Sequence, residues 1–149
     1  MALQRAQPFE FVPSGEERLT VRERLRVGAE IFATYCLVRW WLVRLSFPAA
    51  VAAARNVKRP ARARPEQELT PAALRLAQLV ERTLHPLPID ARCLVRALVL
   101  TRVLARRGIG CSFILGVRAQ PEFAAHAWLE RGGVALLPTD PAFHRIAEM

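Results

Sequence analysis

The sequence predicts an α+β fold in which a run of helices precedes a small antiparallel sheet. Two observations indicate this class. Between Leu19 and Gly108 most apolar residues recur at helical spacing. After Gly108 three short strand-like runs follow, at residues 111–118, 124–130 and 134–138, and Gly132-Gly133 is a turn signal between the last two. With 149 residues, 52% of them hydrophobic, the chain can form one domain with a packed core.

The first predicted helix begins after Thr20, an N-cap residue that is followed at the capping-box spacing by Glu23. It ends near Pro48, and a short second helix is expected from Ala49 to about Asn56. We expect the apolar stripe of the first helix to be buried, either on the rest of the chain or on a partner. The stripe comprises Val21, Leu25, Phe32, Cys36, Trp40 and Val43. Trp41 lies beside it, and we expect this tryptophan to be an exposed anchor for a partner.

A basic segment at residues 55–64 follows these helices and holds five basic side chains and one proline. Its common interpretation is a solvated linker, and the alternative is a docking strip for an acidic partner. The chain is therefore divided into an N-terminal helical region with a basic linker, residues 1–69, and a second region, residues 70–149.

Two further helices are predicted in the second region. Thr70 is the expected N-cap of the third helix, with Pro71 in its first turn, and the prolines of residues 85–88 end it. Asp90 is the expected N-cap of the fourth helix, and Gly108 is its stop. Apart from its arginines, the fourth helix is apolar around nearly its whole circumference, which predicts that it lies at the centre of the fold.

Charge and cysteine content narrow the function classes. A net charge of +9 and a pI of about 11.2 favour an anionic partner such as nucleic acid, an anionic membrane or an acidic peptide. The three cysteines form no CxxC pair, which fits a reducing compartment and predicts a cytoplasmic location. No signal peptide or transmembrane segment is expected. The sequence has no glycine-rich phosphate loop, no aromatic–basic interleaving and no zinc-ligand spacing around His85 or His144, so no cofactor or metal is expected.

Cys93 is the candidate nucleophile because it falls in the first turn of the fourth helix. A thiol there feels unpaired N–H groups and the positive end of the helix dipole, which lower its pKa. The same turn offers the Cys93 backbone N–H as an oxyanion donor. The alternative is an inert cysteine on an apolar helix, since free cysteine is among the most buried residue types.

His126 and Asp140 are the candidate partners of this thiol. His126 lies on the second predicted strand, where it can supply the imidazole of a Cys–His pair, although a structural histidine is the alternative. Asp140 follows the third strand-like run. A three-residue loop at residues 131–133 would place Asp140 on the same face as His126, whereas a two-residue Gly-Gly loop would not.

Two stretches at this separation resemble the leader peptidase of lasso-peptide biosynthesis. They are "RCLVRALVLTRVLARRGIGCSFILGVR", residues 92–118, and "FAAHAWLE", residues 123–130, followed by an aspartate. That family belongs to the transglutaminase-like superfamily of Cys-His-Asp enzymes. The resemblance implies a transglutaminase/papain-like core over residues 70–149, with a central cysteine-bearing helix packed on a small antiparallel sheet and an N-terminal helical extension.

The resemblance also implies an activity and its residues. Cys93 would be the nucleophile, His126 the general base and then acid, and Asp140 the residue that orients the imidazole. The chain would be a cysteine peptidase that removes the leader from a ribosomally made precursor, without a cofactor, and would pass the freed core peptide to an ATP-dependent cyclase. Because residues 1–69 do not read as a strand-rich recognition module, we expect a separate leader-recognition protein.

Two other functions stay open. A transglutaminase-like acyl transferase would form the same acyl-enzyme and pass the acyl group to an amine instead of water. A non-catalytic basic module would use the positive charge to bind nucleic acid or a membrane.

Overall fold

A computed structural model describes residues 20–58, 65–86 and 92–149. Predictions that fall on the other residues, including most of the basic linker, lie outside this part of the chain. Four helices and four strands are described, which confirms the predicted α+β class. The helices are α1 (Val21–Arg44), α2 (Phe47–Arg55), α3 (Glu66–Leu84) and α4 (Cys93–Ala105), and the strands are β1 (Ser112–Arg118), β2 (Ala124–Arg131), β3 (Val134–Ala135) and β4 (His144–Glu148).

The start of α1 is the predicted capping box. The Thr20 hydroxyl accepts a hydrogen bond from the Glu23 backbone N–H at 3.3 Å, and the Glu23 carboxylate accepts one from the Thr20 N–H at 2.8 Å. The helix ends at Arg44, earlier than predicted, because α2 begins at Phe47 with Pro48 in its first turn, where a proline needs no amide proton.

The helix α1 packs on the core through a different face from the predicted stripe. The stripe faces outward, so its burial on the rest of the chain is wrong, whereas its burial on a partner stays a prediction. The inner face consists of Ile31, Thr34, Tyr35, Val38 and Trp41. Trp41, the expected exposed anchor, is only 7% exposed, and the Arg102 guanidinium lies 5.4 Å from its ring centroid. Both faces of α1 carry apolar residues at helical spacing, so the sequence alone could not select the inner face.

The helix α3 begins at Glu66, after Pro65, rather than after Thr70 as predicted. Pro71 therefore lies inside the helix, where it cannot donate to the carbonyl four residues earlier. Burial of Leu69 and an ion pair between Glu66 and Arg131 hold the added first turn. The helix ends at Leu84, directly before the predicted proline-rich stop.

The predicted central position of α4 is confirmed, because α4 contacts α1, α2, α3 and β2. Eight of its thirteen residues are buried. Arg102 projects from it and donates to the carbonyls of Ala53 and Asn56, both at 2.9 Å, at the end of α2. Gly108, with φ of 72°, takes the left-handed conformation expected of a helix stop. Residues of α1, α2 and α4 belong to one hydrophobic core. The predicted division of the chain into residues 1–69 and 70–149 stays a prediction.

The sheet is antiparallel, with strand order β3-β2-β1-β4. In the β1–β2 ladder Gly116 lies opposite His126. The β2–β3 hairpin has the two-residue loop Gly132-Gly133, with φ of 56° and 77°, values that residues other than glycine rarely adopt. The third predicted strand is shorter than expected and ends at Ala135, and β4 was not predicted from the sequence.

Candidate active site

Cys93 is the first residue of α4, so its thiol lies at the end of the helix where N–H groups are unpaired. The N-cap residue is Arg92 rather than the predicted Asp90, and the Arg92 side chain makes no capping hydrogen bond. The half-buried thiol instead interacts with the backbone N–H groups of Leu94 and Ala127. The helix start and β2 therefore both direct amide dipoles at the sulfur.

His126, on β2, forms a side-chain hydrogen bond with Cys93. This hydrogen bond is the largest influence on the thiol and lowers the pKa of Cys93, and the Ala127 and Leu94 amides act in the same direction while burial opposes them. The same hydrogen bond raises the pKa of His126 against the effect of burial, with further contributions from the Pro138 carbonyl and the Asp140 charge. Both shifts favour a thiolate–imidazolium pair.

A backbone carbonyl orients the imidazole. The Nε2 atom of His126 lies 2.9 Å from the carbonyl oxygen of Pro138. Because a carbonyl only accepts, Nε2 carries the proton of the neutral ring, and Nδ1 is left as its basic nitrogen. Sequence reasoning missed this partner, since the orienting group belongs to the main chain and no residue type signals it.

Asp140 influences His126 through its charge. Its Oδ1 atom accepts from the Ala142 N–H at 2.8 Å, and its Oδ2 atom lies 3.5 Å from Nη1 of Arg118. The observed loop is the two-residue form that we expected to place Asp140 on the wrong face. However, the β3 pairing ends at Ala135, well before Asp140, so the ladder does not set its position. The orienting role of Asp140 stays a prediction.

Two aromatic rings contact the His126 imidazole, with centroids 5.8 Å away for Trp128 and 5.1 Å away for Phe143. Trp128 is fixed in turn by a hydrogen bond from Nε1 to Glu130, at 2.7 Å, and by its close approach to Gly116. A Cβ atom at Gly116 would come within 2.7 Å of the Trp128 ring, so this position requires glycine. These contacts limit the rotation of the imidazole.

The other cysteines and histidines do not share this environment. Cys36 is exposed on α1, and burial raises the pKa of Cys111 to about 11, the opposite direction from Cys93. His85 and His144 are exposed. Over residues 20–58, 65–86 and 92–149, no group of three His, Cys, Asp or Glu side chains could hold a metal ion. No helix in the same ranges is long and apolar enough to cross a membrane.

Alkylation should report the lowered pKa of Cys93 directly. The thiolate is the form that reacts with iodoacetamide, so Cys93 should be modified at a lower pH than Cys111. In His126→Ala the largest lowering influence is lost, and the midpoint of Cys93 alkylation should move to higher pH. Peptide mass mapping across a pH series gives both midpoints. An unchanged Cys93 midpoint in His126→Ala would contradict the assigned hydrogen bond.

The comparisons with known proteins agree with this geometry. The profile of the transglutaminase-like superfamily matches residues 32–147, from the middle of α1 to the end of β4. No significant match was found among curated proteins or among solved structures. The profile covers more than half of the chain and includes Cys93 at the helix start and His126 on the strand. The chain therefore belongs to the transglutaminase-like superfamily.

Proposed function

We propose that this protein is a cysteine peptidase that removes the leader from a ribosomally synthesised lasso-peptide precursor. The observation that carries the proposal is the hydrogen bond between Cys93 and His126, which lowers the pKa of the thiol and raises that of the imidazole. The superfamily includes cysteine peptidases and acyl transferases. The substrate class rests on the resemblance of residues 92–118 and 123–130 to lasso leader peptidases.

Acylation begins when His126 takes the thiol proton at Nδ1 and the Cys93 thiolate attacks the scissile carbonyl. The backbone N–H of Cys93, at the start of α4, is the proposed donor to the developing oxyanion. The His126 imidazolium then gives its proton to the leaving amine, which frees the core peptide and leaves the leader as a thioester. The Pro138 carbonyl and the Asp140 charge both stabilise the imidazolium in this step.

Deacylation uses the same residues. His126 removes a proton from water, the resulting nucleophile attacks the thioester, and the Cys93 thiol leaves with a proton. The leader then carries a free carboxylate. An acyl transferase would admit an amine at this point, and membership of the superfamily makes it the second candidate.

The proposal includes partners and a location. The precursor is the substrate, a separate leader-recognition protein presents it, and the freed core peptide passes to an ATP-dependent cyclase. No nucleic acid is needed. The reducing cytoplasm would keep Cys93 as a thiol, which the chemistry requires.

Mass spectrometry of the peptide products tests the proposal. The purified chain is incubated with a precursor peptide, with and without the candidate recognition protein, in heavy-oxygen water. We expect a leader product with a free carboxylate carrying the heavy oxygen, and faster cleavage when the recognition protein is present. A leader joined to an added amine would indicate transfer. Intact precursor that remains bound to the chain would indicate a binding module.

A further inference from the structure

Within the described residues, the outward stripe of α1 is a surface that the proposed peptidase does not use. It consists of Val21, Leu25, Phe32, Trp40 and Val43, which are 72, 68, 47, 55 and 79% exposed. At 100° per residue these side chains fall within about a quarter to a third of the helix circumference. Single exposed apolar residues are ordinary, but an aligned row of large ones marks a surface that is covered in use.

Arginines border this outward stripe on both edges. Arg22, Arg26 and Arg44 lie along one edge, and Arg24 and Arg39 lie along the other. In a pair of copies facing each other through the stripe, parallel or antiparallel, arginine edges would meet, and like charges would repel. A second copy of the chain is therefore disfavoured as the occupant.

The two carboxylates of α1 do not offset this positive border. Glu23 is held in the capping box by Thr20, and Glu30 accepts hydrogen bonds from Arg106 and Arg107. The outward stripe is thus an apolar row between cationic edges, on a chain of net charge +9. A binding partner that matches this stripe would offer an apolar interior beneath an anionic surface.

The shape of the row favours a lipid surface over a protein groove. The 24 residues of α1 span about 36 Å, and the outward residues are spread from its first turn to its last. Protein interfaces concentrate their energy in a compact central cluster. Fluid lipid can accommodate apolar side chains that are separated along a helix. Helices that lie in a membrane interface typically combine aliphatic residues with tryptophan, phenylalanine and arginine.

We propose that the outward stripe of α1 docks the enzyme on an anionic lipid bilayer, with the helix parallel to the membrane plane. The apolar row enters the boundary between headgroups and acyl chains, and the arginines remain at the level of the lipid phosphates. In this orientation α1 lies in the interface and does not cross the bilayer.

Vesicle sedimentation with the full chain tests this docking. Vesicles of phosphatidylcholine alone are compared with vesicles in which phosphatidylglycerol makes up one third of the lipid. We expect binding to the anionic vesicles only, weakened by rising salt. Phe32→Ser with Trp40→Ser should reduce the partition coefficient at least about tenfold, since two large apolar side chains lose their burial. Arg22, Arg26 and Arg44 changed to Gln should reduce it by about 10²-fold.

The matched control is Ile146→Ser, which removes an apolar side chain that is 63% exposed from β4 and should leave the partition coefficient unchanged. Tryptophan emission gives a second readout, because Trp41 and Trp128 are buried and Trp40 is exposed. Anionic vesicles should shift the emission to shorter wavelength, and Trp40→Phe should remove the shift while binding persists. Circular dichroism checks that each variant keeps its helices.

Three outcomes would overturn the docking proposal. They are no binding to anionic vesicles, binding that the Phe32→Ser, Trp40→Ser variant retains in full, and a dimer in sedimentation velocity that this variant abolishes. None of them bears on peptide cleavage, which the product analysis above measures in solution without lipid.

Discussion

Replacing Cys93 with alanine will abolish cleavage of the precursor peptide. The substitution removes the sulfur that is proposed to form the thioester, so no acyl-enzyme can accumulate. The change is small, on a half-buried residue at a helix start, and the fold should persist. The loss is measured as product formation by mass spectrometry, beside the thermal unfolding transition of the same preparation.

The other two cysteines provide matched controls. Cys36→Ala changes an exposed thiol on α1 and should leave both activity and stability unaltered. Cys111→Ala changes a thiol whose burial raises its pKa to about 11, so it should retain activity even if the unfolding temperature falls. Cleavage by Cys93→Ala at the rate of the unmodified protein would remove the central claim of the proposed function.

Replacing His126 with alanine will lower kcat/KM by roughly 10²- to 10⁴-fold, the usual contribution of a positioned general base. The variant also loses the hydrogen bond that lowers the pKa of Cys93, so less thiolate is present at neutral pH. Residual activity should therefore rise with pH over a higher range than in the unmodified protein. Rates from a pH series of initial velocities, taken for both proteins, measure the difference.

Asp140→Asn is the informative comparison for this second prediction. The Asp140 carboxylate acts on His126 by charge, is exposed to solvent and is shared with Arg118, so its loss should cost about tenfold or less. Glu130→Gln tests the other acid near the site, because Glu130 holds the Trp128 ring. If Asp140→Asn leaves kcat/KM unchanged and Glu130→Gln lowers it, Asp140 is not the acid that orients His126.

Local signals were sufficient for much of the fold. The capping box at Thr20 and the glycine stop at Gly108 depend on a few neighbouring residues, and both occur as predicted. Residue types and placement made the pairing of Cys93 with His126 a candidate, and the resemblance supported it. Periodicity alone does not report the pairing, because the contact joins a helix start to a strand 33 positions later.

The remaining features depend on tertiary packing. The choice between the two apolar faces of α1 is made by α3 and α4, so the pattern of α1 alone pointed to the wrong one. The Pro138 carbonyl that orients His126 is a main-chain group, which every residue possesses. The sequence of β4 shows no clear alternation of apolar and polar residues. The strand forms because it pairs with the edge of β1 that β2 leaves free.

Arg102 connects the helix that carries the nucleophile to both N-terminal helices. Its guanidinium holds the end of α2 through two carbonyls and covers Trp41 of α1, yet it belongs to the helix that begins with Cys93. Arg102 thus fixes the positions of α1 and α2 relative to the helix that begins with the nucleophile. Replacing α1 and α2 by two helices of another protein would therefore preserve the position of α4 only if the Arg102 contacts with Trp41 and with the Ala53 carbonyl were kept together.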